Sequence, residues 1–165
     1  MRWSWSGYVV LTTLAALWTA GLFAASAAHA GGYDEAAILT RLFYAPVCHQ
    51  DIARSFSLWN WPLSVCHRCS GIYLSFTLTL FAFPMLRRWR LFDSFSLPRL
   101  AIFILPLLLD YVLDVLGVWQ NSPSSRAISG LVAGAGLALF TLPAWMEFWT
   151  AWRDRSILQS GEVCE

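Results

Sequence analysis

The sequence predicts an all-α integral membrane protein, a four-helix bundle with one extracytoplasmic loop that carries cysteines and histidines. Three observations predict it. Hydrophobic residues make up 58% of the 165-residue chain and charged residues only 13%, against about 45–50% and about 25% in an ordinary globular domain, so too few charges remain to coat a water-facing surface. Four apolar segments, at about 8–28, 69–86, 97–118 and 128–148, approach or exceed the roughly 20 residues that cross a bilayer. The arginines fall unevenly among the connections. The whole chain, 1–165, reads as a single polytopic domain whose surroundings are a lipid bilayer.

The first span, Tyr8 to Ala28, is followed by Ala28-His29-Ala30, which imitates a signal-peptidase site. Its apolar run exceeds the roughly 7–15 residues of a signal peptide, which favours an uncleaved anchor; cleavage would leave three spans. The outer loop covers 29–68. Asp34 can cap a short helix through Tyr44 in which Ile38, Leu39, Leu42 and Phe43 form one apolar stripe, a helix expected to lie along the membrane surface. Pro46 ends it, and Trp59-Asn60-Trp61-Pro62 reads as a turn leading back to the membrane. The second span carries Pro84 near its end; the third holds Pro106, Asp110 and Asp114. The fourth contains Ser129-Gly130, Gly134, Gly136 and Ala138, small residues that let helix backbones approach closely. The Gly130/Gly134 face is a packing surface within the bundle, or one for a second copy or another membrane protein.

Orientation follows from the arginines, because cytoplasmic loops are enriched in basic residues. Arg2, Arg87, Arg88, Arg90, Arg99, Arg153 and Arg155 fall on one side and Arg41, Arg54, Arg68 and Arg126 on the other. Both termini are therefore expected in the cytoplasm, with the chain in the cytoplasmic (inner) membrane. Tryptophans at 3, 5, 89, 145, 149 and 152 mark the inner interface and those at 59, 61 and 119 the outer one, leaving Trp18 inside a span. The 11 basic residues nearly cancel the 10 acids, so no global field attracts nucleic acid, and none is expected as a partner.

The most specific chemical signal is in the outer loop: Cys48-His49-Gln50, then Cys66-His67-Arg68-Cys69 at the mouth of the second span. A C-x-x-C step brings two sulfurs close enough for one tetrahedral metal or one redox disulfide, and Cys48 or His49 can complete either arrangement. Haem c attachment is excluded, since it needs His where Ser70 stands. Three readings stay open: a structural disulfide stapling the loop, thiol–disulfide exchange with Arg68 lowering a thiol pKa, or a zinc or copper site on Cys48, Cys66, Cys69 and His49. An odd number of cysteines suits the metal best. Cys164, on the tail, stands apart, and His67 either ligates or faces water.

Asp110 and Asp114 are one helical turn apart, so they share a face in the outer half of the third span. Carboxylates are costly in hydrocarbon; they are neutralised by Arg126 or Arg68, or they handle protons or cations. Asp51 and Arg54, three residues apart, can pair to support the loop.

These residues resemble a family of membrane proteins called domain of unknown function 2085. The shared pattern is Cys48-His49-Gln50, Arg54-Ser55-Phe56, Cys66-His67-Arg68-Cys69 with Gly71-Ile72-Tyr73, Asp110 after Pro106, Arg126, and Ser129-Gly130, over about residues 43 to 140. The chain departs from it at Tyr111, where the family pattern has glycine. The resemblance implies membership without an activity. The expected function is metal binding by Cys48, Cys66, Cys69 and His49 above a polar pocket of Asp110, Asp114, Arg126 and Arg68. The rivals are a quinone-coupled thiol–disulfide oxidoreductase and a small proton or cation transporter or channel subunit.

Overall fold

The computed structural model describes residues 3–86 and 96–161, with side chains described through Ser156. Arg2, Arg87, Arg88, Trp89, Arg90 and Cys164 lie outside the described residues. Among the described residues five α-helices carry the fold: α1 (Trp5–Ala30), α2 (Asp34–Tyr44), α3 (His67–Leu86), α4 (Leu97–Val115) and α5 (Pro123–Gly161), with a two-stranded hairpin of β1 (Ser57–Leu58) and β2 (Trp61–Pro62) between α2 and α3.

Ser4 starts α1 by accepting a hydrogen bond from the Gly7 N–H, and Gly32, at φ 79°, turns the chain into α2. The hairpin sits where the Trp59-Asn60 turn was expected. Both residues have positive φ, 50° and 61°, the sign that a tight antiparallel reversal requires. Gly117, at φ 69°, follows the end of α4, so that helix stops short of the expected Val118. The helix α5 begins at Pro123, earlier than the expected Ile128, and runs on well past Phe148.

Among the described residues three helical stretches are long and apolar enough to cross a membrane: Trp5–Ala30, His67–Leu86 and Pro123–Ser156. The expected third span is the exception. It forms a 19-residue helix, α4, but Arg99, Asp110 and Asp114 put three charges into it, and composition alone does not qualify it. The architecture is therefore a mostly helical membrane protein with three candidate spans and a fourth helix packed on α5.

The bundle is built on α3, α5 and α1. Glycines set the α3–α5 distance: a Cβ on Gly71 would meet the backbone of Ala127 and Leu131, and one on Gly130 or Gly134 would meet the carbonyls of Arg68 or Ile72. The small-residue face of α5 is thus occupied by α3 of the same chain. Hydroxyl groups join α1 to α3, with Tyr8 Oη donating to Leu80 O (2.9 Å), Thr19 and Thr77 sharing a hydrogen bond (2.8 Å), and Thr77 Oγ1 donating to Ala15 O (3.2 Å). In lipid such bonds and close backbone packing hold helices where the hydrophobic effect does not. One buried cluster gathers Tyr8, Leu80, Phe83, Leu142 and Met146. Outward-facing Leu14, Leu17, Leu74, Leu78, Phe81, Ile102, Leu105 and Leu109 are exposed, as suits side chains that meet acyl chains.

Two expectations about the outer loop change. Asp34 does not cap α2: the cap position is Tyr33, without a side-chain bond, and Asp34 instead pairs with His29 Nδ1 at 2.6 Å. The helix α2, expected to lie along the membrane surface, is packed against α1. It folds back antiparallel along α1, so that Tyr44 Oη donates to Trp18 O at 2.7 Å, 12 residues before the Ala30 end of α1. The residues that α2 buries are Ala37 and Tyr44, while the stripe of Ile38, Leu39, Leu42 and Phe43 stays exposed.

Candidate functional site

The return of α2 brings Cys48 down to the N-terminus of α3. Gln50, at φ 55°, donates through its side chain to the carbonyls of Arg41 and Ser64 (2.7 Å for Ser64). Arg41 in turn donates to Leu63 O (2.9 Å) and Gln50 O (3.1 Å). Ser64 N–H donates to Leu22 O at 3.2 Å. These bonds lock the two arms of the loop together two residues away from Cys48 and Cys66.

The result is a cluster in which the sulfurs of Cys48, Cys66 and Cys69 all lie within 4.8 Å of one another. None of the three is bonded to another. Around a tetrahedral zinc with bonds of about 2.3 Å, sulfurs sit about 3.8 Å apart, so a slight contraction suffices. The Cys66 N–H donates to Cys48 Sγ at 3.2 Å. Leu22, Tyr44, Val65, Trp18 and Tyr73 enclose the cluster on its apolar side. Cys66 immediately precedes α3, where free N–H groups and the helix dipole favour negative charge. Its thiol is held well below the ordinary range by hydrogen bonds from the Cys48 and Cys69 side chains and then from backbone N–H groups of Cys69 and Arg68, which outweigh its burial.

His49 is not among the residues whose ligand atoms fall within the 4.8 Å group. It is exposed and lines a cavity of about 290 Å³ that Cys66, His67, Arg68, Tyr111 and Arg126 also border. His67 is buried, with its ring edge-on to Phe56 at 4.2 Å, and does not face open water.

Behind the cavity wall the two acids of α4 are paired. Asp110 accepts from Arg68 Nη2 (2.6 Å) and Nε (3.0 Å), and from the Ser125 hydroxyl (2.8 Å); the two side chains of the ion pair are 11% and 16% exposed. Asn121 donates to the Asp110 carbonyl at 2.6 Å. Asp114 lies 3.4 Å from Arg126 and 3.7 Å from Arg54, and Arg54 also meets Asp51 at 3.2 Å. Ser55 Oγ donates to Asp51 O at 2.8 Å. The structure thus brings the Arg-Ser-Phe and Cys-x-Arg-Cys segments, both acids and Arg126 into one region. Arg41, Gln50, Ser125 and Asn121 belong to it too. They act largely on main-chain carbonyls, a role that residue spacing does not announce.

A helical membrane protein with a three-cysteine corner beside an Arg/Asp network defines the class. The chain belongs to the family described as predicted membrane protein (DUF2085), whose model matches residues 48–140. It is 29% identical over 107 residues to an uncharacterised protein of Methanocaldococcus jannaschii, covering 63% of this chain and 67% of that one. It is 31% identical over 96 residues to an uncharacterised protein of Methanothermobacter thermautotrophicus, covering 58% and 84%. No solved structure matches. The matched region begins at Cys48, so it contains all three cysteines of the cluster.

Proposed function

We propose that the chain is a multi-pass membrane protein in which the thiolates of Cys48, Cys66 and Cys69 bind a soft or borderline metal ion, zinc or copper. The convergence of the three sulfurs within 4.8 Å carries this reading. Thiolate sets select zinc and copper(I) over harder cations, and the N–H of Cys66 on Cys48 Sγ supports a charged sulfur. In this reading His49, which shares a cavity with Cys66, moves in as the fourth ligand. A closed set of that kind holds structure or senses metal supply; it does not catalyse. In this reading α4 serves as the fourth span, its two acids paired with Arg68 and Arg126 from the flanking helices; four spans put both termini on one side, and the arginine bias favours the cytoplasm for them and the outside for the cluster. Elemental mass spectrometry on protein purified anaerobically in detergent, without chelator or histidine tag, tests it. The expected result is about one zinc or copper per chain, lost in Cys66→Ser. A folded chain without metal refutes the reading.

The depressed Cys66 thiol favours a second reading, thiol–disulfide exchange. There two thiols give up two electrons and two protons to a quinone, forming the disulfide and a quinol. Cys48→Ser distinguishes the two, because a redox enzyme then accumulates a mixed disulfide with its partner whereas a metal site only loses metal. A proton or cation relay through Asp110 and Asp114 first has to break their pairs with Arg68 and Arg126, and it predicts loss of transport in Asp110→Asn with the thiols dispensable.

A further inference from the structure

Two concavities flank the contact between Phe56 and His67. The first is the polar cavity, bordered by Arg68, Arg126 and Arg54 and by the carboxylate Asp51, which pairs with Arg54 at 3.2 Å, with Asp110 and Asp114 paired to Arg68 and Arg126. Each pair therefore points its positive end into the cavity, and the carboxylates hold the donors in place. The second is an apolar groove of about 400 Å³ lined by Leu22, Phe23, Leu58, Ser70, Leu74 and Leu131 among others. The two are stacked along the same seam: His67 and Arg126 belong to the cavity, while Ser70, Leu74, Ala127 and Leu131 belong to the groove, further along the parallel helices α3 and α5. Three buried polar atoms on this seam lack a partner: Arg126 Nε, His67 Nδ1 and Ser70 Oγ. His67 is 4% and Ser70 9% exposed. Buried donors are normally satisfied.

We propose that the seam between α3 and α5 is a binding site for one anionic phospholipid, with its singly charged phosphodiester on Arg126, Arg68 and His67 and an acyl chain in the groove. Charge selects the occupant. The inner ion pairs are neutral as pairs, so a monoanion meets fixed donors without a large opposing field. Order along the helices selects it too, since the polar recess lies at the helix starts, where headgroups are, and the apolar recess further in. Ser70 is placed to donate to an ester carbonyl between the two. The site shares its cavity with Cys66 and His49, but none of its proposed contacts is a sulfur.

The full-length chain is exchanged into mixed micelles with equal amounts of phosphatidylglycerol and phosphatidylcholine, and retained lipid is read by native mass spectrometry. Retention of one phosphatidylglycerol at least tenfold over phosphatidylcholine is the expected result. Selectivity falls to near unity in the charge-balanced variant Arg126→Gln/Asp114→Asn, and both lipids are lost in Leu131→Trp, which fills the groove. Arg153→Gln, a charge change elsewhere on α5, leaves retention unchanged. Equal retention of the two lipids by the native chain, or selectivity that survives the double variant, overturns the proposal.

Discussion

Arg68 shows how much one side chain can join. It lies inside the Cys-x-x-Cys step, its guanidinium holds Asp110 of α4 through two hydrogen bonds, its carbonyl faces Gly130 of α5, and its charge sits 5.6 Å from the Tyr111 ring centre. Removing it leaves a buried carboxylate without its cation, so Arg68→Ala should cost about 3–5 kcal/mol, while Arg68→Met with Asp110→Asn should cost far less because no charge is stranded. The midpoint of denaturant unfolding in detergent, followed by circular dichroism, checks both. Gln50→Ala should cost about 1–3 kcal/mol, since the carbonyls of Arg41 and Ser64 lose its amide; if the loop lock positions Cys48, metal retention falls with it. At this scale the cysteines stood out in the sequence by their spacing and the two acids because carboxylates are costly in lipid. Arg41 did not, and Gln50 did so only as a member of the Cys-His-Gln triplet, because a side chain that bonds distant backbone has no periodicity to betray its role.

The helices α3 and α5 meet through glycines, and the contacts a new Cβ would make there are backbone atoms, which cannot swing aside. Gly71→Val is therefore expected to cost about 1–3 kcal/mol by overpacking, read as a lower thermal midpoint in detergent. At the hairpin, Asn60 tolerates its φ of 61°, so Asn60→Val should cost about 1–3 kcal/mol and Asn60→Gly little, on the same readout. The lengths of α1 and α3 and the packing role of the small residues were legible from hydropathy and spacing. The course of α2 was not. Its amphipathic pattern states that one face is apolar and says nothing of whether that face meets lipid or α1; the Tyr44–Trp18 bond that decides it joins residues 26 apart.

Across the whole molecule, span number sets topology. With α4 as a span, reporters fused after Ser156 and before Trp3 should both be cytoplasmic; with the three helices that qualify by composition alone, the two ends fall on opposite sides. A membrane-impermeant maleimide should label Cys66 only from the outer side, and only after metal is stripped. The apolar run at 97–118 reads as a span in the sequence, yet its three charges keep α4 from qualifying by composition, and the pairing of its two acids is a property of the assembled bundle.

The pairing in α4 also bears on how the chain enters the membrane as it is synthesised. An aspartate at the centre of a helix adds roughly 2.5–3.5 kcal/mol to the cost of insertion. When α4 emerges, Arg68 has already been made and can take Asp110, but Arg126 lies beyond it on α5 and has yet to leave the ribosome. Arg54, already made, lies 3.7 Å from Asp114, but the shorter pair with Arg126 must wait, so, with α4 as a span, α4 and α5 are expected to partition together as a helical hairpin. A nascent chain truncated at residue 120 should leave α4 poorly inserted in a glycosylation-reporter assay, and Asp114→Leu should restore its insertion without the rest of the protein.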